Sequence, residues 1–427
     1  MLTAIKNGYV FDPSQNLDGV FDLALEDGHV AEIARPGKLK GTPGEVFDAK
    51  GLMVAPGFID LHVHLREPGQ SYKETIATGT MAAAAGGFTS VCPMPNTSPI
   101  NDSPAITRWM RDPERGAHVN VFPIAAATLG SQGEQLTDFA ALKRAGAVAV
   151  TDDGKPILRD DIMQQALAAA AQLNLPVVQH AEDTRMTRDA TMNLGPTAFR
   201  LGLRGWPGEA ESSIVERDIH LAAGTKGHLH VAHLSTGAAL AAVKRAKIAG
   251  IRVTCEATPH HFTLLDEDIT DYNTNFKMNP PLRSREDREA LLTGLADGTI
   301  DCIATDHAPH AHHEKNAEFD RAPFGITGLE TALGLCISIL HARRKVPLQR
   351  IVELLSLNPA RLIGLEGRGT LAEGSHADIT IFDPAIKWTF RAAESFSKSK
   401  NTPFDGWRLQ GKVVATIVGG AVVFQSR

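Results

Sequence analysis

Two histidines separated by one residue, His62 and His64, are the first residues in the chain that could do chemistry. They lie in the segment GFIDLHVHLREPG, residues 57–69. Because side chains on a strand alternate between faces, the histidines would share one face with Asp60 and Arg66. The opposite face, which we expect to pack outward against helices, carries Leu61, Val63 and Leu65. A polar stripe on a strand that is otherwise aliphatic indicates either a wet face or a polar pocket.

Polar residues also stand at the ends of four later apolar runs. They are Asp153 after 147–151, His180 in 175–181, His233 in 228–234 and Asp306 in 300–306. A lone H-x-H is a weak signal, but imidazoles and carboxylates from separate strand ends favour a divalent metal site, with zinc first. Two ions about 3.5–4 Å apart, bridged by a carboxylate, could share a hydroxide that acts as a nucleophile at neutral pH.

The elements that would position these residues alternate between strand and helix from about residue 55 to 365. The predicted strands are 57–65, 88–93, 119–125, 147–151, 175–181, 228–234, 251–255 and 300–306. Eight strands alternating with helices favour an α/β fold of the (β/α)8 TIM-barrel type, whose strands end at one mouth. An open doubly wound sheet is the alternative, but no G-x-G-x-x-G motif follows an early strand.

Both ends of the chain are rich in β-strand patterns. Residues 1–54 carry an Asp-Gly hairpin signal, and residues 366–427 carry a Gly-Gly signal. Neither end has enough strands to bury a face alone. We therefore predict that they pair into one small composite β-sandwich domain beside a barrel domain of residues 55–365.

Composition excludes several function classes. The 427 residues carry a net charge of −6, which argues against a nucleic-acid or anionic-membrane surface. The four cysteines form no CxxC pair, and the first residues lack the pattern of a signal peptide. We expect a protein of the reducing cytoplasm.

Nine segments, in this order, carry a family resemblance: DLHVHLREPG, MPNTSP, TDDG, HAED, HVAHLST, EATPHHF, KMNPPLR, IDCIATDHAPH and APFGITGLET. They resemble the class I dihydroorotases of the amidohydrolase superfamily, and the match runs through nearly the whole chain. The resemblance implies a barrel with a composite β-domain. It also implies the zinc-dependent, reversible hydrolysis of (S)-dihydroorotate to N-carbamoyl-L-aspartate in pyrimidine synthesis.

The resemblance also implies a role for individual residues. The implied zinc ligands are His62, His64 and Asp306 for one ion and His180 and His233 for a second, with Asp153 bridging. Asp306 would also be the general base that takes a proton from the metal-activated water and returns it to the leaving amide nitrogen. The implied substrate contacts are His64, Arg66, Asn96, Asn279, His310, Phe324 and Gly325. Without the resemblance, Asn96 and Asn279 could equally be turn formers.

One departure from the wider superfamily concerns the bridge between the metals. Many relatives bridge them with a carboxylated lysine, whereas TDDG places Asp153 there and the nearest lysine is Lys155. The aspartate is the class I pattern, so it favours dihydroorotase over hydantoinase or allantoinase. It leaves open whether one or two zinc ions bind.

A second alternative is a non-catalytic partner of aspartate carbamoyltransferase, as some family members are. Every implied ligand position is filled in this chain, so we expect an active enzyme. We further expect a homodimer, with aspartate carbamoyltransferase as a candidate partner.

Overall fold

The computed structural model describes residues 2–41 and 44–426. Its strands are β1 (Ala4–Asp12), β2 (Leu17–Glu26), β3 (His29–Ala34), β4 (Val46–Asp48), β5 (Met53–Pro56), β6 (Phe58–Val63), β7 (Phe88–Pro93), β8 (Asn120–Val121), β9 (Ala125–Ala126), β10 (Val150–Thr151), β11 (Pro176–Gln179), β12 (Met192–Asn193), β13 (Gly205–Trp206), β14 (His228–Val231), β15 (Val253–Ala257), β16 (Cys302–Ile303), β17 (Ile379–Thr389), β18 (Arg408–Val418) and β19 (Ala421–Gln425).

Helices fill most of the connections between the central strands. They are α1 (Ile76–Ala85), α2 (Pro104–Met110), α3 (Phe139–Ala145), α4 (Asp160–Gln172), α5 (Thr184–Thr187), α6 (Pro196–Leu201), α7 (Glu209–Thr225), α8 (Gly237–Ile248), α9 (Pro259–Thr263), α10 (Arg285–Asp297), α11 (His312–Lys315), α12 (Ala332–Leu335), α13 (Leu348–Val352) and α14 (Asn358–Ile363). Two π-helical stretches, Cys336–Arg343 and Glu353–Leu357, continue α12 and α13.

Strands from both ends of the chain form one sheet, in the order β19-β18-β17-β5-β1-β2-β3 with β4 paired to β1. The two ends meet where β5 runs antiparallel to β17, with Val54 opposite Ile381. These two residues, with Ile5, Leu23 and Ile417, belong to an apolar core separate from that of the barrel. The exact domain boundaries at residues 54 and 365 stay predictions.

The central strands form the predicted barrel. Parallel pairs run from β6 through β7 to β8, and from β9 through β10, β11, β14 and β15 to β16. The short strands β8 and β9 together occupy the third position. The barrel closes between its first and last strands, where Val63 bridges His307 and the His64 amide donates to the His307 carbonyl at 2.8 Å.

Several central strands are shorter than the sequence pattern predicts. The predicted strand 300–306 is Cys302–Ile303, and 147–151 is Val150–Thr151. Leu65 contacts α1 beside Gly79, as expected of an outward residue. The outward prediction for Leu61 is wrong, because a register shift between β6 and β7 lets it join the interior cluster of Cys92 and Cys302.

No helix among the described residues is both long enough and apolar enough to cross a membrane.

Candidate metal and substrate site

The implied metal ligands gather at the carboxyl ends of the barrel strands. His62 is the one that lies within a strand, β6. The others follow the last residues of their strands: His64 after β6, Asp153 after β10, His180 after β11, His233 after β14 and Asp306 after β16. His233 and Asp306 have positive φ angles of 30° and 48°, so turn geometry and not strand alternation directs their side chains.

The ligand atoms of these six residues converge. The Nε2 atom of His62 lies 3.4 Å from an Asp153 oxygen and 3.5 Å from an Asp306 oxygen. On one side of this centre, His64 Nε2 is 3.0 Å from the same Asp306 oxygen. On the other side, His180 Nδ1 lies 3.7 Å from Asp153, and His233 Nε2 lies 4.0 Å from it. Asp153 therefore touches both groups of histidines, as a bridging ligand would.

This arrangement fits zinc. Ligand atoms about 2.0–2.1 Å from a tetrahedral zinc ion are roughly 3.3 Å apart, which is close to the distances around His62. His62 Nε2 is fully buried and has no hydrogen-bond partner among residues 2–41 and 44–426. Two sets of donors could each hold an ion: His62, His64 and Asp153, and Asp153, His180 and His233. Lys155 is exposed, so the aspartate is the bridging group that this chain offers.

Two buried glutamates that sequence reasoning missed orient the histidines. Glu256, on β15, accepts from His62 Nδ1 at 2.9 Å, from His230 Nε2 at 3.1 Å and from the His233 amide at 3.2 Å. Glu182 accepts from His180 Nε2 at 3.0 Å. A carboxylate on the far nitrogen fixes the tautomer of an imidazole and turns the other nitrogen toward a metal. Both residues lie in quoted motifs, EATPHHF and HAED, which were the available signal.

The electrostatics of the site also suit a cation. Burial alone would favour neutral side chains, yet the carboxylates of Asp153 and Asp306 raise the pKa of His62 well above its usual range. Burial opposes charge at Asp153 as well, but the surrounding histidines hold its pKa well below its usual range. Burial lowers the pKa of His233 to about 3, so this imidazole is neutral and can ligate a metal.

A third cluster, His230, Glu256 and Cys302, also brings three donors together. Both Glu256 oxygens already accept from histidines. Burial raises the pKa of the Cys302 thiol well above its usual range, which opposes the thiolate that a metal requires. We infer that this cluster orients His62 and does not itself bind a metal.

A cavity of about 310 Å³ opens directly above the ligand atoms. Every implied substrate contact lines it: His64, Arg66, Asn96, Asn279, His310, Phe324 and Gly325. The structure thus brings together residues that are far apart in sequence. Some of these residues have polar atoms available to bind a ligand, whereas the polar atoms of others already form hydrogen bonds within the protein.

Arg66, His310 and Asn279 present groups toward the cavity. Burial lowers the pKa of Arg66 to about 10, so its guanidinium stays charged at neutral pH. Its Nε donates to the Pro309 carbonyl at 3.1 Å, which leaves a charged edge for an anion. Burial lowers the pKa of His310 to about 2, so the ring is neutral, and its Nε2 donates to the Phe324 carbonyl at 2.8 Å. Asn279 Oδ1 is buried and has no hydrogen-bond partner in the described chain.

Asn96 and Gly325 have other partners. The Asn96 amide joins the two metal-ligand groups, because its Oδ1 accepts from His64 Nδ1 at 3.0 Å and its Nδ2 donates to Asp153 at 3.0 Å. The Gly325 amide donates to the Lys277 carbonyl at 2.9 Å. Gly325 has φ +121°, and a Cβ there would lie 2.6 Å from that of Ala308, so only glycine fits the turn.

A parallel barrel with a composite β-sheet and with histidines and aspartates at its strand ends defines the amidohydrolase class. The same fold is found in an L-hydantoinase from Arthrobacter aurescens, with a TM-score of 0.88 and 24% identity over 100% of this chain and 96% of that one. A dihydropyrimidinase from Brevibacillus agri NCHU1002 gives a TM-score of 0.85 at 24% identity, over 100% and 95% of the two chains.

Sequence comparison narrows the class to a family. Residues 51–239 match the family model described as dihydro-orotase-like. Curated dihydroorotases from Solibacter usitatus and Citrifermentans bemidjiense are 48% and 49% identical to the chain. Each match covers 99% of this chain, with 98% and 99% of those proteins. The chain therefore belongs to the dihydroorotase family.

Proposed function

We propose that this chain catalyses the reversible hydrolysis of (S)-dihydroorotate to N-carbamoyl-L-aspartate. One observation carries the proposal: a single cavity of about 310 Å³ places the charged Arg66 guanidinium beside the convergent imidazole and carboxylate donors. A cyclic amide that bears a carboxylate needs both features, one to bind the anion and one to activate the ring. Family membership at 48% identity supports the same substrate.

The proposed cofactor is zinc, held by His62, His64, Asp153, His180, His233 and Asp306. When bound, zinc supplies Lewis acidity, which polarises the scissile amide carbonyl and makes water more acidic. Whether one or two ions bind is open to measurement, since Asp153 lies between both histidine groups.

Asp306 is the proposed proton carrier. Burial opposes its charge, but His62 and His64 together lower its pKa well below the usual range, so it is a carboxylate at neutral pH. A carboxylate at the floor of the cavity can accept a proton from the attacking water and then donate it to the leaving ring nitrogen. His64 Nε2 lies 3.0 Å from one oxygen of Asp306, so the carboxylate is held beside the other proposed metal ligands.

Three side chains would hold the substrate over Asp306. The Arg66 guanidinium is suited to the planar carboxylate of the substrate. The unpartnered Asn279 Oδ1 can accept a ring N–H, and its Nδ2 is fixed by Glu182 at 3.2 Å. His310 lies within 3.3 Å of Arg66 and closes the same side of the cavity.

A substrate panel tests the proposal. Zinc-loaded protein should turn over dihydroorotate, followed spectrophotometrically, and should act far more slowly on hydantoin and allantoin, which lack the carboxylate. Asp306→Asn should abolish turnover. Preference for hydantoin or allantoin would show a related cyclic amidohydrolase instead. A zinc-free chain without turnover, and unaffected by Asp306→Asn, would fit the non-catalytic partner.

The homodimer, the cytoplasmic location and the carbamoyltransferase partner stay predictions. Sedimentation of the purified chain, alone and mixed with an aspartate carbamoyltransferase, tests the first and the third.

A further inference from the structure

A segment of the C-terminal part of the chain, residues 395–401, reaches the barrel mouth although β17 and β18 on either side of it belong to the composite sheet. Glu74 anchors it, accepting from the Ser397 hydroxyl and from the Lys398 amide, the latter at 3.0 Å. Ser399 Oγ adds a bond to the Lys73 carbonyl at 2.7 Å. The segment ends at Asn401, whose side chain is buried.

The Asn401 amide joins the two backbone segments that form one wall of the substrate cavity. Its Oδ1 accepts from the His310 amide at 3.0 Å. Its Nδ2 donates to the Ala308 carbonyl at 3.1 Å and to the Gly325 carbonyl at 3.0 Å. The side-chain oxygen and both N–H groups of Asn401 are thus all hydrogen-bonded. Each of them bonds to the main chain of a residue that lines the substrate cavity.

A buried lysine holds the same turn from the other side. Lys315 Nζ donates to the Gly325 carbonyl at 3.1 Å and to the Pro323 carbonyl at 3.0 Å. The Gly325 carbonyl therefore accepts from Asn401 and Lys315, while its amide donates to Lys277. With both of its polar backbone groups engaged, Gly325 shapes the wall and leaves substrate binding to its neighbours.

We propose that Asn401 is a positioning residue for substrate binding: it fixes His310 and the Phe324–Gly325 turn against each other and so sets the width of the cavity beside Arg66. This inference rests on the proposed function for its substrate. Asn401 does not line the substrate cavity and contacts none of the candidate metal ligands. Its removal should therefore weaken substrate binding without loss of metal.

Asn401→Ala and Asn401→Asp test the proposal in the full-length, zinc-loaded protein. Alanine removes all three bonds, whereas aspartate keeps the acceptor for the His310 amide and loses both donors. We expect each variant to raise KM for dihydroorotate about tenfold, because the cavity wall beside Arg66 is no longer held in place, with a smaller change in kcat and unchanged zinc per chain. Asn316→Ala is the matched control, since Asn316 is an exposed asparagine near the same mouth.

Hydrogen exchange gives a readout that does not depend on activity. We expect Asn401→Ala to speed exchange of the His310 amide and Asn401→Asp to preserve its protection. Faster exchange with an unchanged KM would overturn the positioning role, because it would leave Asn401 purely structural. Unchanged exchange in the alanine variant would overturn the anchor itself. A parent protein that does not turn over dihydroorotate would refute the proposed function, and the exchange pattern alone would then decide whether the anchor exists.

Discussion

Arg66 is the residue whose charge and shape are most specific to an anionic substrate. Arg66 is 9% exposed and has a backbone φ of +61°, an arrangement that a flexible surface residue does not need. We expect Arg66→Lys to raise KM for dihydroorotate about 10–100-fold, since a point charge replaces a planar fork and a charge-assisted bond is lost. Steady-state kinetics measure the effect, and zinc per chain should not change.

The control for this substitution is Arg188→Lys, at an exposed arginine. It should leave KM as in the parent. If Arg66→Lys also left KM unchanged, the assignment of Arg66 to the substrate carboxylate would be wrong.

Glu256 is a second single residue with a testable role, because the histidine rings that it holds should affect the metal affinity of the site. Burial opposes its charge, but hydrogen bonds from His230 and His62 lower its pKa well below the usual range, so it is a carboxylate that holds both rings. We expect Glu256→Gln to weaken zinc binding about 10–100-fold, because the amide replaces one acceptor with a donor that faces a histidine.

Competition of the Glu256→Gln variant with a chelator of known affinity measures the change. Glu366→Gln, at an exposed glutamate, is the matched control and should bind zinc as the parent does. Equal zinc affinity in the parent and in both variants would mean that Glu256 does not contribute to the metal site.

At the scale of elements, the turn after β14 shows how one helix residue fixes a site. Glu211, buried on α7, accepts from the Ser235 amide and hydroxyl and from the Thr236 amide and hydroxyl, the last two at 2.8 Å. Arg283, also buried, lies 3.8 Å from the same carboxylate. We expect Glu211→Ala to lower the free energy of unfolding by about 3–5 kcal/mol, because it leaves a buried cation and several buried donors without their acceptor.

Thermal unfolding of this variant should show a clearly lower Tm. Glu216→Ala on the same helix is the control, because its ion pair with Arg245 is more than half exposed. Such a pair contributes about 0–1 kcal/mol, so its Tm should stay close to the parent value. Similar losses in both variants would mean that the turn does not depend on Glu211.

The same turns mark how far the sequence can predict the site. The sequence placed His233 and Asp306 at the ends of the predicted strands 228–234 and 300–306, and both residues do face the ligand centre. The strands themselves stop earlier, at Val231 and Ile303, and positive φ angles aim the two side chains. The pattern of a strand predicts where the mouth of a barrel lies. The conformation of the turn after that strand depends on tertiary hydrogen bonds, such as those that Glu211 accepts.

At the scale of the whole molecule, the composite sheet was predictable because each end of the chain carries strands without a partner. The reach of residues 395–401 to the barrel mouth was not. No local pattern predicts that Asn401 will bond to Ala308 and Gly325, since such bonds depend on how the sheet docks against the barrel. Glu256 was missed for a different reason: its bonds to His62 and His230 join three barrel strands, and the pattern of one strand does not show them.

The candidate ligands also act on the whole molecule, because they follow or lie in five different barrel strands, from His62 in β6 to Asp306 after β16. A metal that binds only the folded barrel must stabilise it, by about 2.7 kcal/mol at a free concentration 100 times Kd. We therefore expect chelation to lower Tm and zinc to restore it. In His180→Ala the difference between the Tm values with and without zinc should shrink, together with zinc per chain and activity. In His220→Ala, at an exposed histidine, this difference should stay as in the parent. An equal Tm with and without zinc in the parent would mean that these six residues do not hold the ion.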